Sequence, residues 1–348
     1  MTIQQEVTLA FDTRWDLDTF RLHLEKNART VVVAHTNADG DAVGSVAGLC
    51  ALLRSVAQHH HQKARVQGVL PDGVPDDLAW LPGADAILDG HQPAAAEALH
   101  KAELIVGVDI SGLARTGCLE PLLRSSQVPR LLIDHHESPA RDEFVAIISE
   151  PRASSTCELV YWLAHRLWGD QRITPEAATC LYAGISTDTG SFAYSNDRPS
   201  LYLAAANLIC TGIDPAAIQR KIKNTFTESR MRFFGYAIAH RLVVYPERKV
   251  ALMVLTANDM SEAGVKSHEL TGLINEVMRL RDVDCGILVR EEEGRVRLSL
   301  RSKEEYDVDR MAREMFGGGG HKRAAGATST VGLSETVDII KKRLAIED

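Results

Sequence analysis

Short β-branched apolar runs that end on a carboxylate or an imidazole set the strongest limit on how this chain can fold. TVVVAH runs over Thr30–His35, ELIVGVD over Glu103–Asp109 and RLLID over Arg130–Asp134. A further run, KARVQGVL over Lys63–Leu70, has strand character without a charged end. Between and after these runs lie helix-patterned segments: Ala42–Val56, Ser155–Trp168 and Pro175–Ile185. Strands that alternate with helices predict a parallel sheet covered by helices on both faces. Ligands of such sheets bind beyond the carboxyl ends of the strands. Those ends are where this chain places its Asp and His residues.

At 348 residues the chain is long for one domain, since domains run to roughly 100–200 residues. Pro199–Cys210, Pro215–Lys223 and Glu228–Arg241 read as helices, and a β-rich region follows. It holds Lys249–Thr256, Cys285–Arg290 and Arg295–Arg301, the last two forming a hairpin around Glu291–Gly294. A helix over Asp307–Phe316 stops at Gly317–Gly320, and Ser334–Ile346 reads as an amphipathic helix. A boundary between residues 215 and 235 is expected, giving domains 1–225 and 226–348. The fold class is α/β: an N-terminal domain with a mainly parallel sheet, then a smaller α/β domain.

The formal net charge is −8. That argues against a protein that grips long nucleic acid, which needs a basic surface to release counterions. A small anionic substrate stays open, because a site can be locally positive on an acidic protein. No apolar stretch reaches the ~20 residues of a membrane helix. Met1–Phe11 has no basic start before an apolar run, so no signal peptide is expected. Six cysteines are scattered without a C-x-x-C pair, which argues against a disulfide framework. A cytoplasmic protein without a membrane partner is expected.

Four segments carry the chemistry. His35-Thr36-Asn37-Ala38-Asp39-Gly40-Asp41 follows the first strand, and a loop turning back through Gly40 would let His35, Asp39 and Asp41 converge. Asp109 ends the LIVGVD run. Asp134-His135-His136 follows RLLI, and Asp188 sits in Gly184-Ile185-Ser186-Thr187-Asp188-Thr189-Gly190. Taken singly, each has an ordinary reading: Asp-Gly-Asp as a turn, Asp109 as a helix cap, His-His as structural. Taken together they put several carboxylates and imidazoles at one sheet edge, which is costly unless they are paired or bound to cations. Two divalent cations resolve the repulsion and clamp both oxygens of a phosphoryl displacement. Mixed imidazole and carboxylate donors favour Mn²⁺ over Mg²⁺. His59-His60-His61, with no carboxylate beside it, reads as a solvated helix end.

These segments resemble the motifs of the DHH phosphoesterases. HTNADGDAVGS looks like the family's first motif, VDISGLARTG its second, DHHES its third and GISTDTGSF its fourth. FGGGGHKRAAG over Phe316–Gly326 resembles the glycine-rich signature of the DHHA1 domain, with Arg323 where many relatives carry Asn. The subgroup it most resembles is the oligoribonucleases and pAp phosphatases called nanoRNases. The resemblance implies that His35, Asp39 and Asp109 hold one cation. Asp41, Asp109, His135 and Asp188 would hold the other, with Asp109 shared. It implies that His136 assists the leaving oxygen and that Arg115 neutralises phosphate. Ser154 and Ser155 open a helix, a position suited to an anion. Gly318, Gly319, Gly320, His321, Arg323 and Arg301 are candidates for holding a substrate phosphate, against the plainer reading of Gly317–Gly320 as a helix stop.

The implied activity is hydrolysis of short RNA oligonucleotides to mononucleotides, of pAp to AMP, or both, in the cleft between the two domains. A cyclic-dinucleotide or pApA phosphodiesterase, a pyrophosphatase or exopolyphosphatase, and a nucleotide-binding sensor are the competing readings. A homodimer stays open.

Overall fold

The structure is a computed structural model that describes residues 16–346 apart from residues 27, 194–197, 225 and 293. The Met1–Phe11 segment lies outside these residues, as does Glu293 of the expected hairpin loop. Contacts divide the chain into two units, Met1–Thr225 and Phe226–Asp348.

Six strands build the first unit's sheet: β1 (Thr30–Val33), β2 (Val66–Leu70), β3 (Leu88–Asp89), β4 (Leu104–Val108), β5 (Arg130–Asp134) and β6 (Ala146–Ser149). All pairs are parallel, in the order β3-β2-β1-β4-β5-β6. The described helices of this unit are α1 (Leu17–Leu24), α2 (Gly40–His59), α3 (Pro93–His100), α4 (Glu120–Ser125), α5 (Thr156–Trp168), α6 (Pro175–Asp188), α7 (Pro199–Cys210) and α8 (Pro215–Lys223). Alternate residues of each strand serve opposite faces. Val32, Val106, Leu131 and Ile133 pack with α2, α5 and α6. Val31, Val33, Ile105 and Leu132 pack with Ala95 and Leu99 of α3 and Leu123 of α4. A strand buried on both faces must be apolar throughout, which is why β1 and β4 are uninterrupted apolar runs. Strand order reverses between β1 and β4, opening a crevice at their carboxyl ends.

Among the described helices taken singly, α2 alone has the length and composition to cross a membrane. Most of it is buried between the sheet and α6. It ends on His59, and His59, His60 and His61 are exposed.

The second unit's sheet contains β7 (Leu242–Tyr245), β8 (Val250–Leu255), β9 (Cys285–Glu292), β10 (Arg295–Ser302), β11 (Gly319–His321) and β12 (Ala324–Ser329). Its order is β11-β12-β10-β9-β8-β7, antiparallel except for β8 beside β9. α12 (Val308–Phe316) and α13 (Leu333–Leu344) pack on one face, over Val296, Leu298 and Leu300. α9 (Glu228–Arg241), α10 (Ala257–Ala263) and α11 (Leu273–Val277) pack on the other, over Ala251, Met253 and Leu288. That second apolar layer stops at β9. Beyond it, β10 presents Arg297, Ser299 and Arg301, aligned across the ladder with Thr328, Gly326 and Ala324 of β12. His321 of β11 continues the Arg301–Ala324 row.

Candidate active site

Each conspicuous polar residue of the first unit arrives on a different element. β1 leads to His35. The chain then reverses at Asn37, at a left-handed φ of 53°, and Asp72 Oδ2 accepts the Asn37 N–H at 2.8 Å. Asp39 is the N-cap of α2, its Oδ1 accepting the N–H groups of Asp41 and Ala42, each at 3.0 Å. The turn expected at Gly40 is therefore at Asn37, and Gly40 is already helical. What Gly40 supplies is space, because a Cβ there would collide with Thr187 of α6. β4 runs into Asp109, whose own φ of 57° turns its side chain across the sheet edge. Its N–H stays tied to Ile133 O at 3.0 Å. β5 delivers Asp134, His135 and His136, and the last turn of α6 delivers Asp188.

These side chains meet. His35 Nε2 lies 3.2 Å from Asp109 Oδ2 and 4.0 Å from Asp39 Oδ1. His135 Nε2 lies 3.6 Å from Asp109 Oδ1, 3.4 Å from Asp188 Oδ2 and 3.9 Å from Asp41 Oδ2. Asp109 thus turns one oxygen to each histidine. Three sets could each hold a metal ion: His35 with Asp39 and Asp109; Asp41 with His135 and Asp188; Asp109 with His135 and His136. His35 Nδ1 contacts Thr36 O at 2.7 Å. A carbonyl only accepts, so Nδ1 carries a proton and Nε2 is the atom facing the carboxylates.

Charge in this cluster is frustrated without cations. Burial pushes the Asp41 carboxyl well above the usual range, and Asp109 and Asp188 beside it push it further. Burial, then Asp39 and Asp109, raise Asp188 to about 8. Burial alone would lower His35, but its bond to Asp109 and the neighbouring carboxylates win and raise it to about 9. His135 is also raised, the pull of Asp41 and Asp109 exceeding its burial. Asp109 goes the other way: His35 and His135 outweigh burial and hold it at about 2.

His136 borders the cluster, its Nδ1 3.5 Å from Asp109 Oδ1. Its Nδ1 lies 2.8 Å from Asp134 Oδ1, and its Nε2 lies 2.9 Å from Arg115 Nη1. Guanidinium only donates, so Nε2 accepts and the proton sits on Nδ1, donated to Asp134. Asp134 is fully buried and orients this ring. The DHH triplet was conspicuous in the sequence, but nothing there separates the orienting role of its first residue from a ligand's role.

The N-terminus of α5 is filled from within. Thr156 N–H donates to Asp41 Oδ2 at 2.6 Å and Cys157 N–H to Asp41 Oδ1 at 2.9 Å. The expectation that Ser154 and Ser155 offer this helix end to a substrate anion is corrected: its anion is the Asp41 carboxylate. Ser155 is buried and caps the helix through Glu158 N–H, while Ser154 N–H donates to Glu158 Oε2 at 2.8 Å. A second missed feature was visible in the sequence. Gly40, Gly44 and Gly48 recur every four residues on α2, so they share one helix face. A Cβ at Gly44 would lie 2.7 Å from Cys180 O, and one at Gly48 2.7 Å from Leu181 Cδ2. Their absence lets α2 and α6 close up and brings Asp41 towards Asp188.

The remaining candidates lie in the second unit. Gly317 N–H donates to Arg313 O and Gly318 N–H to Ala312 O, both bonds ending α12, and Gly320 N–H donates to Asp309 Oδ1 at 2.7 Å. Gly319 pairs with Gly326 in the ladder. An open backbone cradle at Gly318–Gly320 is therefore corrected: the run is a helix stop that continues into β11. Arg301 and His321 share a row across the sheet through Ala324, while Arg323 donates to Tyr306 O at 3.1 Å.

Comparison with known proteins gives the family. Residues 29–185 match the DHH family N-terminal domain, and residues 248–345 match the DHHA1 domain. A protein from Thermus thermophilus named bifunctional oligoribonuclease and PAP phosphatase NrnA is 27% identical over 306 residues, covering 85% of this chain and 83% of its own. The crystal structure of an exopolyphosphatase-related protein from Bacteroides fragilis superposes with a TM-score of 0.89 at 32% identity, covering 94% of this chain and 95% of that one. RecJ from Thermus thermophilus in complex with Mn²⁺ shares the fold, with a TM-score of 0.57 at 14% identity over 96% of this chain and 55% of that one. The chain belongs to the DHH family of phosphoesterases, with a DHHA1 domain following its DHH domain.

Proposed function

We propose that this phosphoesterase hydrolyses short oligoribonucleotides and the 3′-phosphate of pAp, using two divalent cations, with Mn²⁺ preferred to Mg²⁺. The observation that carries the two-cation reading is Asp109, with one oxygen 3.2 Å from His35 and the other 3.6 Å from His135. His35, Asp39 and Asp109 would hold one cation; Asp41, Asp109, His135 and Asp188 the other. The donor set fits, because buried carboxylates that repel one another are relieved by positive charge. When bound, the pair supplies Lewis-acid charge to the entering and leaving oxygens of an in-line displacement.

The rest belongs to the chain's own side chains. Arg115 is a planar donor suited to two phosphate oxygens. Drawn to a substrate phosphate, it uncovers His136 Nε2. With its Nδ1–H held by Asp134, that ring accepts a proton at Nε2 and can return it to the leaving oxygen. Substrate choice rests on the likeness to the Thermus thermophilus oligoribonuclease and PAP phosphatase across most of both chains. The Arg297–Ser299–Arg301 row of β10, outside the apolar layer that stops at β9, supports an end-phosphate site in the second unit.

The test is a comparison of kcat/KM, with Mn²⁺, for pAp, pApA, a five-nucleotide RNA, a twenty-nucleotide RNA and pyrophosphate. The short RNAs and pAp are expected to lead. A preference for pyrophosphate would favour the polyphosphate chemistry named for the Bacteroides fragilis relative, and a preference for the long strand would remove the proposal.

A further inference from the structure

We propose that Thr156 is a positioning residue that locks Asp41 and Asp109 in the relative placement two cations need; this rests on the two-cation reading above. Thr156 is fully buried at the first turn of α5. Its N–H donates to Asp41 Oδ2 at 2.6 Å and its hydroxyl to Asp109 Oδ1 at 3.2 Å. One residue therefore ties together two carboxylates that come from different elements, α2 and the end of β4. The two are restrained unequally. Asp41 has both oxygens fixed by backbone, since Cys157 N–H takes Oδ1 at 2.9 Å. Among the described residues no backbone N–H is bonded to the Asp109 carboxylate, and its own backbone is left-handed at φ 57°. A non-glycine residue keeps that conformation only where its surroundings over-determine it. The Thr156 hydroxyl is one of those determinants, and it acts on the oxygen that Asp109 turns to His135.

The residue type follows from the geometry. The hydroxyl has one proton to give, and the group facing it is a carboxylate, so it donates to Asp109. The β-branch restricts χ1 and holds the hydroxyl on that line. Valine keeps the shape, the branch and the backbone N–H and removes only the donor. Serine keeps the donor and loses the branch.

Metal-free protein titrated with Mn²⁺ alone, followed by calorimetry and by the electron paramagnetic signal of free Mn²⁺, tests this without any reaction. Wild type is expected to take up two ions. Thr156→Val is expected to weaken uptake by roughly 10–100-fold, the usual effect of losing an outer hydrogen bond to a metal ligand. Its metal-free circular dichroism is expected to stay that of wild type, with a modest fall in melting temperature for the lost hydrogen bond to Asp109. Thr156→Ser is expected to recover most of the loss. Thr156→Ala, which places no methyl beside Asp109, is the second probe and must weaken uptake as Val does. Wild-type uptake of two ions with an unchanged Thr156→Val isotherm, or a serine variant as weak as valine, overturns the role of Thr156. A wild type that takes up no Mn²⁺ overturns the two-cation reading, and this proposal with it.

Discussion

Residue by residue, the cluster behaves as a competition between protons and cations. Asp188 is raised to about 8 by burial and by Asp39 and Asp109, and His35 to about 9 by Asp109 against its own burial. A cation needs the carboxylate ionised and the imidazole neutral. Both shifts are upward, so below pH 8 both groups hold protons that an incoming cation must expel. Apparent Mn²⁺ affinity is therefore expected to rise with pH from 7 towards 9 and to flatten above it. His35 belongs to one cation's set and Asp188 to the other's, so each expelled proton adds up to ~10-fold per pH unit to its own cation's affinity, below about 8 for Asp188 and below about 9 for His35. Calorimetric titration in buffers of different ionisation enthalpy counts the protons released. Affinity that does not change between pH 7 and 8.5 would contradict the competition. The clustering of these residues was legible in the sequence for a physical reason: a strand buried on both faces is an apolar run, and a carboxylate that interrupts it marks the strand's end. The anion at the start of α5 was not legible, because Ser154-Ser155-Thr156 announces a cap but not which carboxylate fills it.

At the scale of elements, the closeness of α2 and α6 sets how near Asp41 comes to Asp188. Gly44 faces backbone: a Cβ there would sit 2.7 Å from Cys180 O and 3.1 Å from Cys157 Sγ. Backbone cannot yield as a flexible side chain can. Gly44→Ala is expected to destabilise the fold by about 1–3 kcal/mol, the range for overpacking, and to weaken metal uptake as the helices part. Gly235, also helical, has nothing within 4 Å of its Cβ position. Gly235→Ala is expected to stabilise by about 0.5–1 kcal/mol, because alanine is the better helix former. Thermal melts of the two variants should move in opposite directions. A rise in Tm for Gly44→Ala would mean the helices are not this close. Some short or weakly patterned elements escaped sequence reading. β3 is two residues, Leu88–Asp89. β12 is AAGATS, poor in β-formers, and is a strand because Ala324–Ser329 pairs with β10. β6 and β7 are four residues each. β10, by contrast, alternates apolar with basic or polar residues along RVRLSLR, and that period of two marks a strand with one packed face.

For the whole molecule, the open question is what measures substrate length. The carboxylate–imidazole cluster of the first unit suits a phosphoester and has no means of counting nucleotides. The net charge of −8 offers a longer strand little further attraction. The second unit, however, leaves part of its sheet without an apolar cover, and Arg297, Ser299 and Arg301 alternate there with His321 aligned on the Arg301 row. The glycine run beside it now reads as scaffold: it ends α12 and begins β11, so the donors for a phosphate come from side chains. Of these Arg301 is half-buried, its Nη1 donates to Leu300 O at 2.9 Å, and its guanidinium is the planar donor type that suits phosphate oxygens. Arg301→Ala is expected to lower kcat/KM for two- and five-nucleotide RNAs by about 1.5–3 kcal/mol, the worth of a hydrogen bond to a charged group. It should leave Mn²⁺ uptake unchanged. The twenty-nucleotide RNA should lose less, because a strand with many internal phosphates depends less on one held end. The ratio of short to long activity should therefore fall in the mutant. An unchanged ratio would take length selection away from this face of the DHHA1 domain. A loss of Mn²⁺ uptake would show that the variant disturbs more than a phosphate contact.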